Sequence, residues 1–214
     1  MCFSAPASFT AAAVLAGLGT VTLRAARTPQ AKPYAAIPLL FAVQQFIEGL
    51  LWLSFDHDAP ALADAMTHAY SLFSHVLWPI FIPLAVFLIE PAGPRRRTLA
   101  GLVALGAVVS AWLLWYTFTY GIESHVEGAH IEYVTSHVLA LTSSSLYVVS
   151  TTVSMLLSTH RKVRLFGALA LVSFALVYVF LETWLVSIWC FCAALLSVVV
   201  YLQVREPAYS RVST

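Results

Sequence analysis

Long apolar runs alternate with short polar breaks along almost the whole chain. A helix needs about 20 mostly apolar residues to cross a bilayer. Seven runs reach that length, near residues 8–26, 33–55, 65–89, 98–120, 134–158, 164–181 and 184–203. The pattern therefore predicts an all-α, polytopic membrane protein with seven transmembrane helices that form a single domain over residues 1–214.

Composition supports this class. The chain of 214 residues is 60% hydrophobic and only 10% charged, whereas soluble domains carry about 25% charged residues. The predicted partner is thus the lipid bilayer, with a small molecule or a lipid as a further ligand and no nucleic acid. Three cysteines are too few for a disulfide framework. The oligomeric state stays open.

Basic residues predict the orientation, because short cytoplasmic loops are enriched in Lys and Arg. All eleven lie in alternate breaks or in the tail: Arg24, Arg27, Lys32, Arg95, Arg96, Arg97, Arg161, Lys162, Arg164, Arg205 and Arg211. The predicted amino terminus is therefore outside and the carboxyl terminus cytoplasmic, with the first run retained as a span. Four tryptophans near the predicted outer ends suggest an interfacial belt, namely Trp52, Trp112, Trp115 and Trp184.

One carboxylate interrupts the second run. Glu48 shares a helical face with Gln44 and Trp52 at four-residue spacing, and Gln45 precedes it by three. An ionisable side chain within a span is a functional-site candidate. We therefore expect this face to look into protein, with the two glutamines and Trp52 as ligand-binding residues.

The third run carries a second polar face. Asp64, His68, Ser71 and His75 follow steps of four, three and four. At about 1.5 Å per residue, Glu48 and His75 lie at similar depths, roughly 10–13 Å from the outer ends. We predict that they meet as a catalytic or proton-carrying pair. The alternative is that His75 only satisfies Glu48 or a backbone carbonyl.

Two further groups extend the candidate site. The fifth run has a polar stripe that comprises Tyr133, His137, Ser144, Tyr147, Thr151, Ser154 and Ser158. The stripe suits either packing between helices or a substrate path, and Ser144 and Tyr147 are candidate ligand-binding residues. Glu48, His75, His137 and Cys190 form a candidate metal set, for which zinc or copper is the fitting cofactor.

The breaks add two smaller expectations. Residues 123–133 alternate around Gly128-Ala129, which predicts a small hairpin lid. Its His and Glu side chains either gather a divalent cation or form a solvated acidic loop. Glu90, close to Arg95 to Arg97, predicts a cytoplasmic ion pair.

The chain also resembles a known family. It begins Met1-Cys2-Phe3-Ser4-Ala5, contains Gln-Gln-x-x-Glu-Gly-x-x-Trp from Gln44, and has Trp78-Pro79 followed by Pro83. These features resemble uncharacterised bacterial integral-membrane proteins with an amino-terminal Met-Cys-Phe-Ser-Ala motif. The resemblance implies a multi-pass protein of the bacterial inner membrane and carries no activity.

Three functions remain compatible with the sequence. The first is a polar, metal-dependent or metal-free pocket in the outer half of the membrane that binds a small molecule or lipid, with Glu48 and His75 as candidate catalytic groups. The second is a small-solute or ion transporter, and the third is a seven-helix sensor or scaffold without chemistry. Whether the protein is an enzyme is open. Retinal binding is disfavoured, since Lys32 and Lys162 lie in predicted loops.

Overall fold

Long apolar helices dominate the computed structural model, which describes residues 4–134 and 145–206. The elements are α1 (Ala5–Ala25), α2 (Ala31–Ala35), α3 (Ile37–Asp56), α4 (Pro60–Ile89), α5 (Pro94–Tyr120), β1 (Glu123–Glu127), β2 (His130–Val134), α6 (Ser145–Leu156), α7 (Arg161–Phe180) and α8 (Glu182–Val204). Six of them, α1, α3, α4, α5, α7 and α8, are long and apolar enough to cross a membrane. They match six of the seven predicted runs and indicate a multi-pass membrane protein.

The fifth predicted run is only partly described. Residues 135–144 lie outside the described part of the chain, and α6 is an apolar helix too short to span by itself. The seventh span, and with it the predicted topology, therefore stays a prediction. His137 and Ser144 also lie outside the described residues.

Large apolar side chains cover much of the outer surface. Phe118, Val179 and Phe180, for example, each expose 70% or more of their surface. A soluble monomer rarely exposes so much contiguous apolar surface. This distribution suits a lipid bilayer around the helices.

Two prolines distort α4. A π-helical turn at Leu72–Leu77 precedes Trp78 and Pro79, and Pro83 follows one turn later. Proline lacks an N–H, so each ring deprives a carbonyl of its usual helical donor. Neighbouring α5 approaches this segment: the Ser110 hydroxyl donates to the Val76 carbonyl at 2.7 Å, and Gly106 lies against the Pro79 carbonyl. The distortion is thus supported by a partner helix.

The hairpin of β1 and β2 lies at one end of the bundle, which we call the acidic end because it carries Asp58, Asp64 and Glu123. The strands pair antiparallel around Gly128, whose φ is 63°, so the predicted hairpin is confirmed. Ile131 packs against Ala5, Leu51 and Trp52. Trp52 is therefore buried with 7% exposure, and its predicted place in an exposed interfacial belt is wrong because the hairpin covers it.

The opposite end, which we call the basic end, is closed by Glu90. This buried carboxylate accepts hydrogen bonds from the Ser158 hydroxyl at 2.9 Å and from the Thr159 amide at 3.0 Å. The expected ion pair with Arg95 to Arg97 is wrong, because no such pair occurs among the described residues. The carboxylate instead caps the turn between α6 and α7, where exposed backbone donors need acceptors.

A Gly106→Ala substitution tests the packing of α5 on α4. The added Cβ would clash with the Pro79 carbonyl oxygen, so the helices must separate. We expect the free energy of unfolding to fall by about 1–3 kcal/mol, measured by denaturant titration of the detergent-solubilised protein. Gly101→Ala is the matched control: it lies on the same helix with nothing within 4 Å. Equal stability of both variants would contradict the close approach.

Candidate functional site

Glu48 lies fully buried in the interior, where α3 meets α8. Its Oε2 accepts a hydrogen bond from Gln45 Nε2 at 3.0 Å, and its Oε1 accepts one from the Ser187 hydroxyl at 2.8 Å. Gln45 reaches Glu48 because residues three apart share a helix face. Ser187, by contrast, belongs to α8 and lies 139 positions after Glu48 in the chain. The carboxylate therefore joins two distant helices.

Gln44 joins the same network to α4. Its Oε1 accepts a hydrogen bond from the Trp78 indole N–H at 2.8 Å, and both side chains are buried. Because an indole can only donate, this contact determines which end of the Gln44 amide is oxygen. Trp78 follows directly after the π turn of α4. The irregular segment thus positions a side chain that holds the site together.

Cys190 adds a thiol to the cluster. It lies one helical turn after Ser187 on α8, is 5% exposed, and interacts with the side chains of Gln44, Tyr70 and Glu48. Ser187 and Cys190 are three residues apart and hence share a face. We name the set of Gln44, Gln45, Glu48, Ser187 and Cys190 the Glu48 cluster.

Several polar atoms around Glu48 make no hydrogen bond with a described residue. These atoms are Gln44 Nε2, Gln45 Oε1 and Trp52 Nε1, all buried on α3. The neighbour of the Gln44 amide on α8 is the Cys190 thiol, a weak acceptor that does not replace a full hydrogen bond. Each unsatisfied buried donor or acceptor costs about 1–3 kcal/mol. The helix therefore presents two donors and one acceptor that a bound molecule or ordered water would satisfy.

A small cavity adjoins the cluster. Its volume is about 40 Å³, and its lining includes Trp78, Tyr147, Thr151 and Cys190. A water molecule needs about 10–15 Å³ measured in this way, so the cavity is larger than one water, and its lining is almost entirely apolar. Tyr147, a predicted ligand-binding residue, therefore lines this cavity. Trp78 and Cys190 line it as well, and both contact Gln44.

A second π-helical turn borders this cavity. It covers Val149–Val153 of α6. Its hydroxyls donate to carbonyls of their own helix: Thr151 to Tyr147 at 2.9 Å, and Thr152 to Val148 at 2.7 Å. Such back-bonding satisfies an irregular backbone. In the described part of the fifth predicted run, the threonine hydroxyls of the polar stripe therefore satisfy carbonyls of α6 and do not line an open substrate path.

His75 makes its described contacts within α4 and not with Glu48 or the donors of Glu48. The described contacts of its ring are with the Ser74 hydroxyl, 2.8 Å from Nδ1, and with the Ser71 backbone, all on α4. The predicted pairing of His75 with Glu48 stays a prediction. Ser187 was not among the predicted site residues, although it lies three positions before Cys190 and therefore shares its helix face.

The predicted metal set is not gathered in the described part of the chain. Across residues 4–134 and 145–206, the three-residue group of His, Cys, Asp or Glu that could hold an ion comprises His125, Glu127 and Glu132. Glu48, His75 and Cys190 do not form such a group there, and His137 lies outside the described residues. A zinc or copper ion at Glu48 therefore stays a prediction.

Comparison with known proteins identifies the family. A family model described as a family of unknown function, DUF6629, matches residues 1–213, so the chain belongs to that family. The predicted membership in an uncharacterised family is confirmed. Comparisons with curated proteins and with solved structures find no match.

Ser187→Ala tests whether α8 supplies a donor to Glu48. Removing the hydroxyl leaves a buried carboxylate with one fewer partner, and we expect the free energy of unfolding to fall by about 1–3 kcal/mol. The measurement is a double-mutant cycle with Glu48→Ala in detergent, which removes the acceptor and so isolates the pairwise coupling. Ser173→Ala is the control, since that hydroxyl donates to the Ala170 carbonyl of its own helix. Zero coupling between Ser187 and Glu48 would contradict the contact.

Proposed function

We propose that this member of DUF6629 is a multi-pass membrane protein that binds a small hydrogen-bonding molecule at the Glu48 cluster. The observation that carries the proposal is the coincidence of a buried carboxylate with unsatisfied donors and an unsatisfied acceptor on the same helix. An ionisable side chain inside a membrane domain is costly, and such residues typically mark ligand or ion sites. Activity beyond binding is left open.

The proposed orientation follows the charge distribution. The eleven Lys and Arg fall in the breaks that the positive-inside rule assigns to the cytoplasm. The hairpin would then lie on the extracytoplasmic side of the inner membrane, and the carboxyl terminus would lie in the cytoplasm. Under this orientation Glu48, eight residues before the end of α3 at Asp56, lies in the outer half of the membrane.

The chemistry of the free atoms limits the ligand. Gln44 Nε2 offers a donor and Gln45 Oε1 offers an acceptor, four and three positions before Glu48 in α3. A matching molecule therefore carries both an acceptor and a donor. Trp52 Nε1 lies about 12 Å from Gln44 along the helix at 1.5 Å per residue, so it would contact a longer ligand or one on its way in. The cavity of about 40 Å³ limits a ligand in this conformation to a few heavy atoms.

The two π-helical turns support binding rather than a passive core. One ends directly before Trp78, and the other supplies Thr151 to the cavity lining. π-helical turns inside α-helices are frequent at functional sites. Both would permit the cavity to widen by local rearrangement of the backbone.

Transport is the weaker alternative. Irregular helices at mid-membrane are typical of transporters, and the π turns agree with that feature. The hydroxyls of α6, however, donate to their own backbone. Binding without transport therefore needs fewer assumptions, and proteoliposome uptake that depends on Glu48 would reverse this preference.

Glu48→Gln tests the proposed function. We expect the wild-type protein, purified in mild detergent, to yield a small polar molecule in near-stoichiometric amount on denaturation, detected by untargeted mass spectrometry. The variant should retain at most about one tenth of it, since a charged partner contributes about 1.5–3 kcal/mol.

Glu90→Gln is the matched control. Glu90 is also a buried carboxylate with a serine hydroxyl and a further donor, but it lies at the basic end. This variant should keep the molecule. If wild type and both variants release the same compounds, Glu48 does not hold a ligand and the proposal fails.

A further inference from the structure

The exposed face of the hairpin gathers three ligand-bearing side chains. His125 lies directly opposite Glu132 in the strand register, and Glu127 follows His125 by two positions. Alternate residues of a strand point to the same face, so the three share one side. One ligand atom of each lies within 4.8 Å of the others, and His125 Nε2 lies 2.9 Å from Glu132 Oε2.

The hairpin that carries these side chains is held on several sides. Ile131 is fully buried against α1 and α3. The Tyr133 ring stacks on Tyr70 of α4 at 4.7 Å, and the His130 ring lies 4.7 Å from Trp184 of α8. Ser124 of β1 is hydrogen-bonded to Thr67 of α4. The ligand face is therefore part of a fixed platform.

Charge at this end is not balanced by basic side chains. Within the described residues, the ion pair that contains a Lys or Arg is Lys162 with Glu206, at the other end. Glu127 and Glu132 thus converge on one imidazole without a Lys or Arg partner. A cleft of about 560 Å³ next to β1 is lined by Asp58, Asp64 and Glu123, and such acidic clefts raise the local concentration of cations.

We propose that the hairpin face binds a divalent transition-metal ion, with Zn²⁺ as the representative, through the imidazole of His125 and the carboxylates of Glu127 and Glu132. One imidazole and two carboxylates form a donor set that suits Zn²⁺. An imidazole ligand favours such ions over Mg²⁺ and Ca²⁺, which prefer oxygen ligands. Water fills the remaining positions, because the side chains of His125 and Glu132 are 54% and 25% exposed. The site is independent of the Glu48 cluster.

The test uses Zn²⁺ alone as the probe. The full chain, purified in detergent and stripped with a chelator, is titrated with zinc chloride in an isothermal calorimeter. We expect one stoichiometric site, and His125→Gln and Glu132→Gln should each weaken binding by at least about tenfold, since even indirect supports of a metal site contribute 10–100-fold. Glu90→Gln, which alters a buried carboxylate at the basic end and outside the three-residue group, should leave the affinity unchanged.

Glu123→Gln is the matched control for charge. It removes a carboxylate from the same strand but outside the three-residue group, so its affinity should stay within about twofold of wild type, a small part of the tenfold loss expected for a ligand. Cu²⁺ bound to wild type should show electron-spin coupling to an imidazole nitrogen that His125→Gln removes. No stoichiometric Zn²⁺ binding, or an equal loss in Glu123→Gln, would overturn the proposal and leave only a diffuse acidic surface.

Discussion

A carboxylate in the interior of an apolar bundle must find hydrogen-bond donors, and the arrangement around Glu48 follows from that need. A buried polar group without hydrogen-bond partners costs about 1–3 kcal/mol, and more when it is charged. Gln45 donates to it within α3, and Ser187 donates to it from α8. Gln44 and Trp78 extend the contacts to α4. The requirement of one side chain therefore determines how three helices are joined.

The irregular backbone of α4 likewise needs hydrogen-bond donors, and α5 supplies one of them. Proline removes donors from the helix, and the π turn shifts the partners of the remaining groups. Ser110 supplies a donor to Val76, and Gly106 permits α5 to approach closely. This support places the Trp78 indole against Gln44. Backbone distortion and the polar site are thus parts of one arrangement.

Much of this could be predicted from the sequence because hydrophobic length and helical spacing are local properties. They predicted the six described spans, the hairpin, and the common face of Gln44 and Glu48. They did not predict that Ser187 would reach Glu48, or that Glu90 would cap the turn at Ser158. Depth along the membrane follows from counting residues, whereas the lateral order of helices depends on packing between distant segments. The face of Trp52 was expected to look into protein, but its cover by Ile131 of the hairpin was missed for the same reason, since a loop can fold over the end of a span.

Ordered density beside Glu48 is the most direct test of the account. A high-resolution structure of the purified wild-type protein in a lipid nanodisc should show a bound molecule or ordered water within hydrogen-bond distance of Gln44 Nε2 and Gln45 Oε1, two of the three unsatisfied atoms on α3. It should also show Ser187 bonded to Glu48. A dry interior, with both amides satisfied by protein groups and no density at the cluster, would contradict the central claim that this cluster is a binding site.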